Sequence, residues 1–191
     1  PTLISLSWHD VGVAKSDLSA EVSKTAISLL SAIASKYCPD LISIADLRSL
    51  AANVAIRMMT GPDIPTRFGR RDGADAVSSQ ASRLRDDDKD ASHLREIFHA
   101  KGIDDKGIVA LSGSRPWTGM HPVFNNSFFQ DLINSPEGTK MLGAEKALTK
   151  DSAFKKHVHG YANDKTTWFK DFTNAWICIQ EHGYTDLRDI L

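Results

Sequence analysis

The sequence predicts an all-α protein, and three observations carry that prediction. Apolar residues recur at helical spacing in the long segments, no segment sustains the alternation of a strand, and Pro, Gly and Asn clusters separate the periodic stretches. In chain order, LISLSWHD at 3–10 is an apolar run ending at a small loop around Gly12. Residues 19–38 carry apolar side chains at 22, 26, 27, 29, 30, 33 and 37, a helical face with Ser19 or Ser23 as cap and Pro39 as stop. Residues 40–60 form a second helix, apolar or small over most of its surface, the pattern of a helix buried in a core. Gly61-Pro62 ends it, and TGPDIPTRFGRRDGAD reads as a loop ordered by its Pro and Gly residues.

Beyond a polar stretch, HLREIFHAKG at 93–102 is a short amphipathic helix closed by Gly102. DDKGIVALSG at 104–113 makes another, capped by Asp104 or Asp105. SRPWTGMHPVFNN is loop, SFFQDLIN is a short helix, and the segment from Glu145 to Gly183 carries two more. The expected architecture is a bundle of seven or eight helices in one domain spanning 1–191.

Composition narrows the function. The chain has 191 residues, of which 41% are hydrophobic, with 23 basic residues against 24 acidic and a formal net charge of -1. That balance gives no basic patch for nucleic acid or an anionic membrane, and little self-repulsion to oppose docking onto another protein. No stretch has the length of a membrane span, and no signal peptide is visible. The chain opens at Pro1 without Met, which is the form expected of a processed or trimmed protein, one from which an organelle-targeting peptide could already be gone. Cys38 and Cys178 are expected to be free thiols, with no CxxC spacing for a metal. His157 and His159 lie two apart on a predicted helix, so they do not share a face and are not expected to hold a metal. The acidic run Asp86–Asp88 reads as solvated loop.

Specific motifs then add to the pattern. ISIADLRSLAANVAIRMMTGPDIPTRFGRRD, SHLREIFHAKGIDDKGIVALSG, PWTGMHPVFNNSFFQDLI and AEKALTKDSAFKKHVHGYANDKTTWFKDFTNAWICIQEHG resemble, in order, successive segments of the class I haem peroxidases, the family of ascorbate and cytochrome c peroxidases. LISLSWHD is similar to that family's distal-helix motif R-L-A-W-H. The resemblance covers nearly the whole chain. It implies a haem-peroxidase-like helical fold, shortened by a first helix and by pocket-lining loops, with distal-side helices in 1–85 and proximal-side helices in 86–191.

It also implies a site whose members can be checked one by one. His9 matches the distal acid–base histidine and Trp8 the Trp before it. Ser5 stands at the distal arginine's position, and losing one preorganised donor to the developing oxyanion costs roughly 10²–10³ in rate. The proximal histidine follows the VALSGG helix in the family. Here ALSGSRPWT runs from Gly113 through Ser114 and Arg115 straight into the Pro-Trp-Thr loop, so Arg115 stands at or near the ligand position. A guanidinium stays protonated and offers iron no lone pair. Trp117 matches the proximal Trp, and Glu145 replaces the Asp that would orient the proximal histidine, one methylene longer and free to pair with Arg115. The resemblance thus implies a pseudoenzyme, expected to lack haem and to act as a structural or accessory subunit of a larger photosynthetic or respiratory complex. Its expected place is the thylakoid lumen first, the mitochondrion second, with protein partners, no nucleic acid and no membrane span. The competing reading keeps haem b on an unusual axial ligand such as His121.

Overall fold

A computed structural model describes residues 2–10, 16–72, 90–114, 123–136 and 143–189, with the side chains of 2, 5, 9, 10 and 16–23 left out. Among these residues the chain forms nine helices and one isolated antiparallel bridge, Phe68 to Arg188. They are α1 (Thr2–Asp10), α2 (Ser16–Tyr37), α3 (Ile44–Met58), α4 (Ala91–His99), α5 (Asp105–Ser112), α6 (Ser127–Asn134), α7 (Gly143–Lys150), α8 (Ser152–Asn163) and α9 (Lys165–Glu181). The all-α expectation holds. No described helix is long and apolar enough to cross a membrane.

The boundaries follow from caps. Ser43 accepts a hydrogen bond from the Asp46 backbone N–H and starts α3 four residues later than apolar spacing suggested. Asp104, not Asp105, caps α5 by accepting from Gly107 N at 2.8 Å. Asp90, Asp151 and Asp164 cap α4, α8 and α9 in the same way. Asp151 is why the C-terminal region holds three helices where two were expected: its carboxylate takes the first N–H groups of α8 and so separates α7 from it. The expected caps Ser19 and Ser23 are corrected, since both lie inside α2, which begins at Ser16.

The principal core joins α1 and α3 to α4–α9 around Trp168, Trp176, Phe129, Phe154, Phe172 and Tyr161. A smaller cluster of Leu6, Ala26, Leu30 and Leu47 ties α1, α2 and α3 together. The second predicted helix is not buried all round: α2 reaches Leu47 and Ala51, while Val54 and Met58 further along α3 stay exposed, Met58 at 81%.

Four polar clasps hold these helices in place, and they use the motif residues. Arg70 is buried, and its Nη1 donates to Asp46 Oδ1 at 2.8 Å and to the Arg67 carbonyl at 2.6 Å, while its Nε donates to the Gln180 carbonyl. Asp72 accepts from the backbone N–H groups of Ile44 and Ala45, closing the N-terminus of α3. Arg95 forks onto Asp105 and Asp151 together, over the ring of Phe154. Asn126 donates to the carbonyls of Tyr161 and Ala162 and so fixes α6 against the end of α8.

Candidate functional site

Helix α1 brings its single Trp to the centre of the fold. Ile4 and Trp8, one turn apart, enter the main core, Leu6 enters the smaller cluster, and the buried Ser7 accepts from Gln180 Nε2 at 3.1 Å. Trp8 meets Trp176 edge to face, with ring centroids 5.4 Å apart. Trp176 donates its indole N–H to Asn53 Oδ1 at 2.8 Å, and Asn53 Nδ2 donates to Thr66 Oγ1. The Trp8 indole N–H is also buried but has no acceptor among the described residues. Trp8 is therefore a core residue, though its N–H lacks the acceptor among the described residues that a core indole ordinarily has.

The C-terminus of α5 is sealed by rings. Ile108, Val109, Ala110 and Leu111 are fully buried. Trp168 donates its N–H to the Ala110 carbonyl at 3.0 Å and stacks on Phe124 at 5.0 Å. A Cβ on Gly113 would lie 2.6 Å from Phe129 Cζ and 2.9 Å from Trp168 Cζ2, so only glycine fits there. Ser112 and Ser114 turn their hydroxyls back onto the carbonyls of Ile108 and Leu111.

A haem iron held from this side needs a lone-pair ligand such as an imidazole, a thiolate, a thioether or a phenolate. The described residues at the end of α5 offer only those two inward-bonded hydroxyls. The described imidazoles belong elsewhere: His93 lies beside Glu96, His99 beside Asp105, His157 against Tyr161, His159 exposed on α8, and His182 near Lys101. Among the described residues, none at the end of α5 offers such a ligand.

Most of the expected site residues lie outside the described ones. Ser5 and His9 stand one turn apart on α1, with side chains outside the described residues. Arg115, Trp117 and His121 lie wholly outside them, as does the expected pairing of Arg115 with Glu145. Glu145 is half-buried in the first turn of α7, which packs on α8 and α4. Cys38 and Cys178 are free thiols, as expected. His157 and His159 fall on α8, and among the described residues no group of three metal-binding side chains forms. Sequence reasoning missed the Trp176–Asn53–Thr66 chain and the Gln180–Ser7 contact. The available signal was a lone amide inside an apolar helix stretch, Asn53 in SLAANVAI and Gln180 in WICIQ.

A helical fold with a Trp-His pair on its first described helix and a VALSG helix sealed by aromatics has the outline of a haem peroxidase. The peroxidase family model matches residues 1–123, and the chain belongs to that family. Its relatives are of the class I type that the motifs resemble. The probable L-ascorbate peroxidase 3, peroxisomal, of Oryza sativa subsp. japonica is 34% identical over 221 residues, covering 98% of this chain and 75% of the relative. The mitochondrial cytochrome c peroxidase of Aspergillus fumigatus is 34% identical over 233 residues, 96% of this chain and 63% of the relative. The cytosolic L-ascorbate peroxidase 2 of Arabidopsis thaliana is 34% identical over 161 residues, 76% of this chain and 63% of the relative. The chain thus spans about three quarters of the rice protein and less than two thirds of the other two. The rice alignment is 221 residues long against a chain of 191, so at least 30 aligned positions of that relative have no counterpart here.

Proposed function

We propose that the chain keeps the class I peroxidase fold without haem and serves as a structural or accessory subunit of a larger protein complex. One observation carries the reading: Gly113 is followed by Ser114 and Arg115 and then at once by the Pro-Trp-Thr loop, leaving no imidazole where iron would be gripped. The absence of an arginine at Ser5, the unmatched positions against the rice relative and the aromatic seal at the end of α5 all support it. The proposed setting is an organelle, the thylakoid lumen first and the mitochondrion second. The mitochondrial name of the fungal relative agrees with the second, while the rice and Arabidopsis names are peroxisomal and cytosolic.

A second reading has an observation of its own. The Trp8 N–H is a buried donor with no acceptor among the described residues, and such a group costs about 1–3 kcal/mol unless a partner reaches it. A porphyrin-bound ligand would be one such partner, with His121 as the axial donor. Haemin titration of the purified chain separates the two. The haem-free reading predicts no saturable Soret band and no peroxide-dependent oxidation of ascorbate. A one-to-one Soret change that the His121→Ala variant abolishes overturns it and establishes the second.

A further inference from the structure

The near-zero net charge hides an uneven distribution. Residues 143–170, which span α7, α8 and the first turns of α9, hold six lysines against three carboxylates, in a chain whose formal net charge is -1. Those three carboxylates are already engaged. Asp151 accepts from Arg95 and caps α8, Asp164 caps α9 and accepts from the Thr167 hydroxyl, and half-buried Glu145 has an interaction of its own. Lys146, Lys150, Lys155 and Lys156 are exposed, and none of them pairs with a carboxylate among the described residues. Helical geometry gathers them. Lys146 and Lys150 are one turn apart on α7, which packs on α8. On α8, Phe154, Val158, Tyr161 and Ala162 are buried, and the opposite face carries Lys155, Lys156, His159, Gly160 and Asn163. Lys155, His159 and Asn163 form one row along that face, Lys156 and Gly160 the next, and α8 contains no carboxylate at all.

Gly160 is a second, separate observation. It lies within α8 on the exposed face, and a Cβ there would meet nothing within 4 Å. Packing inside the chain therefore does not ask for glycine, which lowers helix stability relative to alanine. A bare stretch of backbone beside two lysines and a histidine admits the close approach of a neighbour from outside. We propose that this face of α8, with Lys146 and Lys150 of α7, docks an acidic segment of a partner protein whose main chain crosses at Gly160. The face fits carboxylates better than other polyanions. Residues 143–170 include no arginine to fork onto phosphates, and no exposed large apolar or aromatic side chain to stack on bases or enter acyl chains. The inference names the partner's chemistry for the accessory role and rests on that reading for the partner's existence, although a haem-binding chain would carry the same face.

Fluorescence anisotropy of a labelled helical peptide rich in Glu and Ala, titrated with the full chain at about 50 mM salt, tests it. Binding in the range of about 10–100 µM is expected, weakening as salt rises. Lys155→Glu with Lys156→Glu is expected to weaken it at least about tenfold, with unchanged far-ultraviolet circular dichroism. Lys155→Gln with Lys156→Gln gives the same reading in milder form should the charge reversal disturb the fold. Lys24→Glu with Lys36→Glu, an equal change of net charge on α2, is expected to leave binding intact. Gly160→Leu keeps every charge and is expected to weaken binding about tenfold while raising the melting temperature of the free chain. No binding overturns the proposal. So does equal weakening by the Lys24–Lys36 and Lys155–Lys156 pairs, or indifference to Gly160→Leu. Phosphatidylglycerol vesicles or a single-stranded oligonucleotide bound more tightly than the peptide through Lys155 and Lys156 overturn it in favour of a lipid surface or a nucleic acid. Haemin titration reports separately: a chain that binds haem yet takes the peptide through Lys155 and Lys156 overturns the haem-free reading and not this one.

Discussion

Arg70 shows how much one side chain holds. Its guanidinium and the Asp46 carboxylate are both nearly solvent-free, and removing either strands a buried charge. Arg70→Ala is expected to cost about 3–5 kcal/mol in urea unfolding, with Arg70→Lys recovering only part because a single ammonium cannot bond Asp46 and the Arg67 carbonyl and also reach the Gln180 carbonyl that Nε meets. The two central indoles make a finer comparison. Trp176→Phe leaves Asn53 Oδ1 without its donor, whereas Trp8→Phe removes an N–H that has no described acceptor. Trp176→Phe should therefore destabilise more than Trp8→Phe, by about 1–3 kcal/mol, and the reverse order in thermal denaturation would show that Trp8 has a partner of its own. Asp46, Arg70 and Asp72 were visible in the sequence as motif members. Their roles were not, because a clasp between a helix and a later loop leaves no local pattern.

At the scale of helices, the Arg95 fork joins α4 to the first turns of α5 and α8. Its hydrogen bonds hold the Asp105 and Asp151 carboxyls below their ordinary value of 3.8. Because the folded values lie below the unfolded ones, this stabilisation is complete above about pH 4 and is lost as pH falls through the lowered values. Melting temperature followed from neutral pH downward should drop steeply below about pH 4, and the drop should be shallower in Arg95→Gln, which lacks the fork. Gly113→Ala should loosen the join between α5, α6 and α9 by about 1–3 kcal/mol, since the added methyl meets Phe129 and Trp168. Helix existence was legible from apolar spacing, but the ends were not. Ser43, Asp104 and Asp151 set them through side-chain bonds to backbone N–H groups, and several aspartates and serines nearby were equally plausible from composition.

For the molecule as a whole, the fold could be read because the motifs run in order along nearly all of it, and the peroxidase match agrees. The candidate site was legible as a set of positions rather than an arrangement. Trp8 enters the core, while most of the distal and proximal members lie outside the described residues. The aromatic packing of Trp8, Trp176, Phe124, Trp168 and Phe129 comes from three separate stretches of chain, and spacing within any one of them gave no hint of it. Pull-down of the native protein from its source should recover stable companions if it is an accessory subunit, and blue-native electrophoresis should place it in a band far heavier than a dimer. Migration as an isolated monomer or dimer would count against that role.

The Phe68–Arg188 bridge gives the tail a consequence far from itself. Paired N–H and C=O groups at 2.8 Å stitch the last described residues to the loop leaving α3, and Arg67 pairs nearby with Glu181 at the end of α9. Brief carboxypeptidase digestion that trims past Arg188 should thus open the 64–70 segment to trypsin at Arg67 and Arg70, so that nibbling at one terminus is reported as a cut in the first half of the polypeptide.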